Sequence, residues 1–229
     1  MNNSICLVTG ATRGLGYAAA LSLARRGAHI VAVGRTVGGL EDLDDAIKKA
    51  GGEATLVPLD LNDDPGLERL GAALYERWGR LDLVVHAAAE AAPMAPAEHI
   101  AAAELDKVIA ANFRAVQRLI RVVDPLLKRA KTPQAVFLVD PDAEGARFNG
   151  AYGAVKAAAR ALVMSWAKEQ ARHGPRIWLA APPPMPTAIR ARSRPGEDPM
   201  TLSACADVAA RLVDRIASAD VEPGETVAL

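Results

Sequence analysis

The run Ile5-Cys6-Leu7-Val8-Thr9-Gly10-Ala11-Thr12-Arg13-Gly14-Leu15-Gly16 sets a short apolar strand directly before three closely spaced glycines. Helical apolar spacing then covers Tyr17–Arg26 and stops at Gly27. Gly10 allows a tight turn, Gly14 lets a ligand approach the backbone, and Gly16 admits close packing of helix on strand. The helix amino terminus offers unpaired N–H groups to an anion. The stretch therefore predicts a cradle for the pyrophosphate of a dinucleotide, formed by Gly10, Thr12, Arg13, Gly14, Leu15 and Gly16, with Arg13 adding a cation. A glycine motif alone is also an ordinary strand-to-helix turn; the flanking strand and helix favour the nucleotide.

Outward from this unit, strand-like runs recur at His29–Val33, Ala54–Pro58, Leu81–His86, Ala135–Val139, Arg176–Ala181 and Thr226–Leu229. Helical spacing fills the gaps. Leu105, Val108, Ile109, Val116, Leu119, Ile120, Val123 and Leu127 recur three or four apart, as one buried helical stripe requires. Alternating strands and helices predict an α/β fold, a doubly wound parallel sheet with helices on both faces. At 229 residues the chain suits one domain. Residues 1–90 read as its nucleotide half and residues 91–229 as its catalytic and substrate part. Proline and glycine interrupt the pattern at residues 182–199, which read as an irregular lid. The alanine-rich stretches Ala87–Ala92 and Ala101–Ala103 read as small-residue packing zones.

Lys+Arg and Asp+Glu number 27 each, so no global field recruits nucleic acid or an anionic membrane, and a small-molecule partner is favoured. Cys6 and Cys205 lack metal spacing and the density of a disulfide scaffold, and both are expected reduced and buried. No metal is expected. With neither a basic-then-apolar leader before Ile5 nor a bilayer-length apolar run, the protein reads as cytoplasmic.

Two further features carry chemistry. NAD sites place Asp or Glu near the end of the second strand to bond the ribose 2′-hydroxyl, but here Val33 is followed by Gly34-Arg35-Thr36. NADP is therefore favoured, Arg35 meeting the 2′-phosphate; a solvated surface arginine is the other reading. Tyr152 and Lys156 stand at i and i+4, so on a helix both point into one cleft. A nearby cation favours phenolate and would pull a group of pKa about 10 toward neutral pH. Otherwise they are two polar residues of an exposed helix face.

Together Thr9–Gly16, Asp60-Leu61, Asn112 and Tyr152-Gly153-Ala154-Val155-Lys156 resemble the short-chain dehydrogenase/reductase family over almost the whole chain. With Phe148–Tyr152 and Arg190, the sequence looks most like bacterial oxidoreductases of NADP type. The resemblance implies a Rossmann-type fold and reduction of a carbonyl or oxidation of an alcohol. It implies Tyr152 as proton donor and acceptor, Lys156 on the nicotinamide ribose and Asn112 anchoring a water; a buried asparagine satisfying backbone is the alternative. It further implies Asp60 at the adenine amino group, Leu61 at its ring, Thr36 and Ala88 along the nucleotide, and Pro182 and Thr187 at its nicotinamide end. Pairing into a homodimer or homotetramer through Leu105–Lys131 and Ala151–His173 follows too, and Val155, Leu162, Val163 and Trp166 read as surplus apolar surface there.

Three positions depart from that family. Its serine before the tyrosine is replaced by Asp140, Pro141 and Asp142, with the register open. An ionised Asp donates no hydrogen bond and would raise the Tyr152 pKa; the plainer reading is a pair of exposed turn residues. Asn-Asn-Ala-Gly has become His86-Ala87-Ala88-Ala89, where His86 reads as a satisfied structural histidine. Pro-Gly has become Pro182-Pro183, which stiffens the backbone and removes an N–H. Two functions follow: an NADP-dependent oxidoreductase altered by the lost serine, or a catalytically weak cofactor-binding or assembly protein.

Overall fold

In a computed structural model, which describes residues 3–229, seven strands form one parallel sheet in the order β3-β2-β1-β4-β5-β6-β7. They are β1 (Ile5–Thr9), β2 (His29–Gly34), β3 (Glu53–Pro58), β4 (Leu83–His86), β5 (Gln134–Leu138), β6 (Arg176–Ala181) and β7 (Thr226–Ala228). Because helices cover both faces, β1, β2 and β4 carry near-continuous apolar runs, with Thr9, His29 and His86 the polar residues at their ends, and are almost wholly buried. Cys6 and Val8 face α1 (Gly14–Ala24), α2 (Val37–Lys49) and α8 (Cys205–Ser218). Ile5 and Leu7, one residue out of phase, face α3 (Asp64–Trp78), α5 (Ala115–Leu127) and α6 (Gly150–Gln170). Each fully buried Leu or Ile on these faces is worth about 1.5–3 kcal/mol against exposure.

Sheet order reverses between β1 and β4, and a crevice opens there at the carboxyl ends of the strands, the place where ligands bind in open α/β sheets. The local chemistry that sets helix starts differs around this crevice. Asp63 caps α3 by accepting from the Gly66 N–H at 3.1 Å, whereas α1 has no side-chain cap at its amino terminus. The first N–H groups of α1 are thus left for something other than the chain's own side chains.

Several sequence boundaries move. Helix α1 begins at Gly14 rather than Tyr17, so the last two glycines of the motif lie in its first turn. β4 begins at Leu83 rather than Leu81, because Asp82 spends its carboxylate on the Ile5 N–H at 2.8 Å. The expected unbroken stripe Leu105–Leu127 is α4 (Ala102–Ile109) and α5 joined by a π turn at Ala110–Arg114, whose extra residue shifts the phase around Asn112. Residues 182–199 are less irregular than expected, since α7 (Ala188–Ser193) forms within them, capped by Thr187 on the Arg190 N–H at 3.2 Å. Cys205 is half-buried rather than buried; Cys6 is buried. Val155, Val163 and Trp166 are no surplus apolar surface, for all three are buried in this chain's own core, and Leu162 is half-buried. No helix among the described residues is long and apolar enough to cross a membrane.

Candidate active site

One cleft of about 790 Å³ gathers the residues that the sequence scattered over the whole chain. Gly10, Thr12, Arg13, Gly14, Leu15 and Gly16 line it from the β1–α1 turn, Arg35 and Thr36 from the end of β2, and Asp60 and Leu61 from beyond β3. Ala88 contributes from the β4 loop, Tyr152 and Lys156 from α6, and Pro182 and Thr187 from the segment after β6. Asn112 alone of the expected residues does not border the cleft, although its neighbour Ala111 does.

The glycine turn is held by backbone packing. Gly10 has φ +70°, and a Cβ there would lie 2.7 Å from the Ala88 N. A Cβ on Gly16 would strike the carbonyl of Gly10. Neither position tolerates a side chain without moving main chain. Behind it, His86 and Thr9 are both buried, and the Thr9 hydroxyl lies 2.8 Å from His86 Nδ1 while accepting from the Ala88 N–H at 3.4 Å. Burial, with Lys156 adding to it, pushes the His86 pKa down to about 3, so the ring is neutral.

At the other end the side chains decide. Lys156 does not bond the phenol; its ammonium donates to the Leu138 carbonyl at 2.8 Å, at the end of β5. Burial lowers its pKa to about 8, against the pull of Asp140 and Glu144. Tyr152 is buried, and burial followed by the charge of Asp140 raises its pKa, the opposite of the expected shift toward neutral pH. Asp140 is half-buried against the cleft rather than an exposed turn residue. Burial raises its own pKa, with Lys156 opposing. Asp142 is exposed at the rim, and Pro141, also exposed, does not line the cleft; the position that faces the tyrosine's cleft is therefore Asp140.

What holds Asp140 there escaped the sequence reading. The loop after β5 lies on α6 at Gly153, where a Cβ would run into the Ala143 carbonyl. Glu144 then accepts twice from Arg160 of α6, both at 2.7 Å. The signal was present as a glycine between Tyr152 and Lys156 on the helix face, but only the contact gives it meaning. Likewise Arg190, noted for the resemblance alone, is fixed by Glu197 through two bonds at 2.6 Å.

A second missed residue is Glu90, the one acid in the alanine run read as a packing zone. Its backbone is clamped by Asn112, whose Oδ1 accepts from the Glu90 N–H at 2.9 Å and whose Nδ2 donates to the Glu90 carbonyl at 2.8 Å and to the Val108 carbonyl at 3.1 Å. Asn112 thereby satisfies backbone with its whole amide. The Glu90 carboxylate lines the cleft and meets Arg35 at 2.9 Å, so Arg35 is an ion-paired residue and not a free surface cation.

Fold and cleft together place the chain among the α/β oxidoreductases. It belongs to the short-chain dehydrogenase family, whose model matches residues 4–198. The Escherichia coli oxidoreductase YciK is 30% identical over 212 residues, 91% of this chain and 84% of that protein. A Pseudomonas syringae short-chain dehydrogenase structure superposes with a TM-score of 0.94 at 30% identity, covering 99% of this chain and 94% of that one. A Shigella flexneri short-chain dehydrogenase solved in complex with NADP superposes with a TM-score of 0.92 at 28% identity, covering 100% and 97%.

Proposed function

We propose that the cleft binds a dinucleotide of NADP type and that the chain reduces a carbonyl, or oxidises the corresponding alcohol, with Tyr152 as proton donor or acceptor. The observation that carries this is the position of Tyr152 and Lys156 in the same cleft as the glycine turn, at the carboxyl ends of the sheet. The residues present fit the nucleotide. Side chains would close the turn at Gly10 and Gly16, and the amino terminus of α1 is uncapped. At Gly34, where NAD sites carry an acid, a Cβ would press on Thr12 Cγ2 at 2.5 Å. Arg13 and Arg35 line the cleft and would supply cations for phosphate, Asp60 and Leu61 would hold the adenine, and Thr187 and Pro182 the nicotinamide.

When bound, the nicotinamide ring supplies or accepts the hydride. This chain's own residues manage the proton. A phenol whose pKa burial and Asp140 have raised is protonated at neutral pH, so it holds the proton a developing alkoxide needs but gives it up less readily than an unperturbed phenol would. Lys156, still an ammonium below about pH 8, lines the same cleft as the cation on this helix face available to offset the charge left behind. Titrating NADPH and NADH by nucleotide fluorescence, then assaying a panel of carbonyl compounds, tests the reading: tighter NADPH binding and Tyr152-dependent turnover are expected, and their absence overturns it.

A cofactor-binding or assembly role with little chemistry is the second reading, favoured by one observation: Asp140 supplies a charge where the family's hydroxyl would donate. We propose self-association into a homodimer or homotetramer on the resemblance, and a cytoplasmic location; a scattering mass above 24.0 kDa at micromolar concentration is the expected result for the former.

A further inference from the structure

Glu90 stands where three cations from three different parts of the chain converge. Arg35 Nη2 approaches its carboxylate at 2.9 Å from the end of β2, Lys107 Nζ at 3.5 Å from α4, and Arg192 Nη1 at 3.8 Å from α7. The acid is 12% exposed, whereas its partners are 54%, 54% and 64% exposed. The carboxylate is thus the buried member and the cations are the solvent-exposed ones. It is also held rigidly from behind, since Asn112 brackets both its N–H and its carbonyl. Burial works against the charge on Glu90, yet Arg35 and Lys107 together keep its carboxyl below the ordinary range.

A carboxylate in this place cannot be a ligand for a phosphate, and it bonds the very arginine that a 2′-phosphate needs. We infer that Glu90 is a specificity-determining residue: a resident counter-ion, shared with Lys107 and Arg192 of α7, that occupies Arg35 until a 2′-phosphate takes its place there. The inference rests on the NADP reading of the cleft. Two consequences follow from the charges. The penalty for breaking the Arg35–Glu90 contact is charged against NADPH and not against NADH, so Glu90 lowers the preference that Arg35 would otherwise give. Released from Arg35, the carboxylate remains beside Lys107 and Arg192, so α7 stays tied to the loop after β4 across the cleft mouth.

The test is a double-mutant cycle in nucleotide binding, which needs no substrate. Wild type, Glu90→Gln, Arg35→Ala and the double variant are titrated with NADPH, NADH, 2′,5′-ADP and 5′-AMP by calorimetry. Gln keeps the backbone atoms that Asn112 clamps, and circular dichroism confirms the fold of each variant. Glu90→Gln should tighten NADPH and 2′,5′-ADP about tenfold, the scale of one charge-assisted contact, while moving NADH and 5′-AMP less than threefold. In the Arg35→Ala background the gain should vanish. Unchanged or weaker 2′-phosphate binding in Glu90→Gln, with Arg35→Ala still costing affinity for it, overturns the role of Glu90 and leaves the NADP reading standing. Indifference of every variant to the 2′-phosphate overturns both.

Discussion

At the β1–α1 turn the cleft wall is main chain packed on main chain, whereas at the ends of β5 and β6 it is made of side chains and their charges. Gly10 and Gly16 leave no room for a methyl group, and α1 presents bare N–H groups. Across the cleft, the charge of Asp140 acts on both Tyr152 and Lys156, and Glu144–Arg160 and Arg190–Glu197 brace the elements that carry them. A wall of backbone admits almost no variation, while a wall of side chains can exchange a donor for an acid and keep its shape. Two of the three departures from the family, at Asp140 and Pro182-Pro183, lie on the side-chain wall; the third, His86–Ala89, packs against the glycine turn, whose own glycines are kept.

The largest expected effect lies on the side-chain wall. Tyr152→Phe should cut turnover by about 10³-fold, within the range for a lost general acid, and leave NADPH affinity within twofold, as read by steady-state kinetics beside a binding titration. Comparable activity in the variant would end the contrast by showing that this wall does no proton chemistry. On the backbone wall, Gly16→Ala should destabilise the fold by about 3 kcal/mol in urea unfolding, because the new methyl meets a main-chain carbonyl. Gly14→Ala should cost only about 1 kcal/mol, since its φ is +58° but the nearest atom is Thr187 Cγ2 at 3.5 Å. Equal costs at the two sites would mean that the turn is not packed as described.

Asp140→Ser should raise turnover on a reactive carbonyl by up to about 10² by restoring a donor and removing the charge that raises the phenol. Pro141→Ser, whose side chain is exposed and outside the cleft, should do nothing. If neither gains and Tyr152→Phe is also silent, the binding-protein reading prevails.

The smallest effect concerns His86, behind the glycine turn. Its folded pKa is about 3 against 6.5 ordinarily, so between those values the unfolded chain binds more protons and stability falls as pH drops. From pH 6.5 to 5.0 wild type should lose about 2 kcal/mol that His86→Asn does not, measured by denaturation at each pH. Parallel curves for the two proteins would show that the imidazole is not held neutral.

Strand count, the parallel arrangement and the cleft's nucleotide end were legible in the sequence, because apolar runs buried on both faces and glycines at forced turns are local signals. Their errors were local too: α1 was read as starting at Tyr17 when it starts at Gly14 inside the motif, and the π turn at Ala110–Arg114 was read through as one stripe. The apolar residues of α6 could not be divided between own core and surface without the packing, and Val155, Val163 and Trp166 belong to the core. The site's charges were beyond reach for the same reason. Tyr-x-x-x-Lys fixes a shared helix face but not a direct bond, and the ammonium goes to the Leu138 carbonyl instead.

The sequence by itself determined an α/β sheet with a glycine cradle and a tyrosine–lysine pair, since periodicity and turn chemistry act over a few residues. Only the tertiary structure decided that Asp140 faces the cleft while Pro141 does not, that Asn112 grips Glu90, and that Glu90 takes Arg35. Charges act through space with strengths set by burial, and residues 35, 90, 107 and 192 become neighbours only once the sheet has brought its strand ends together.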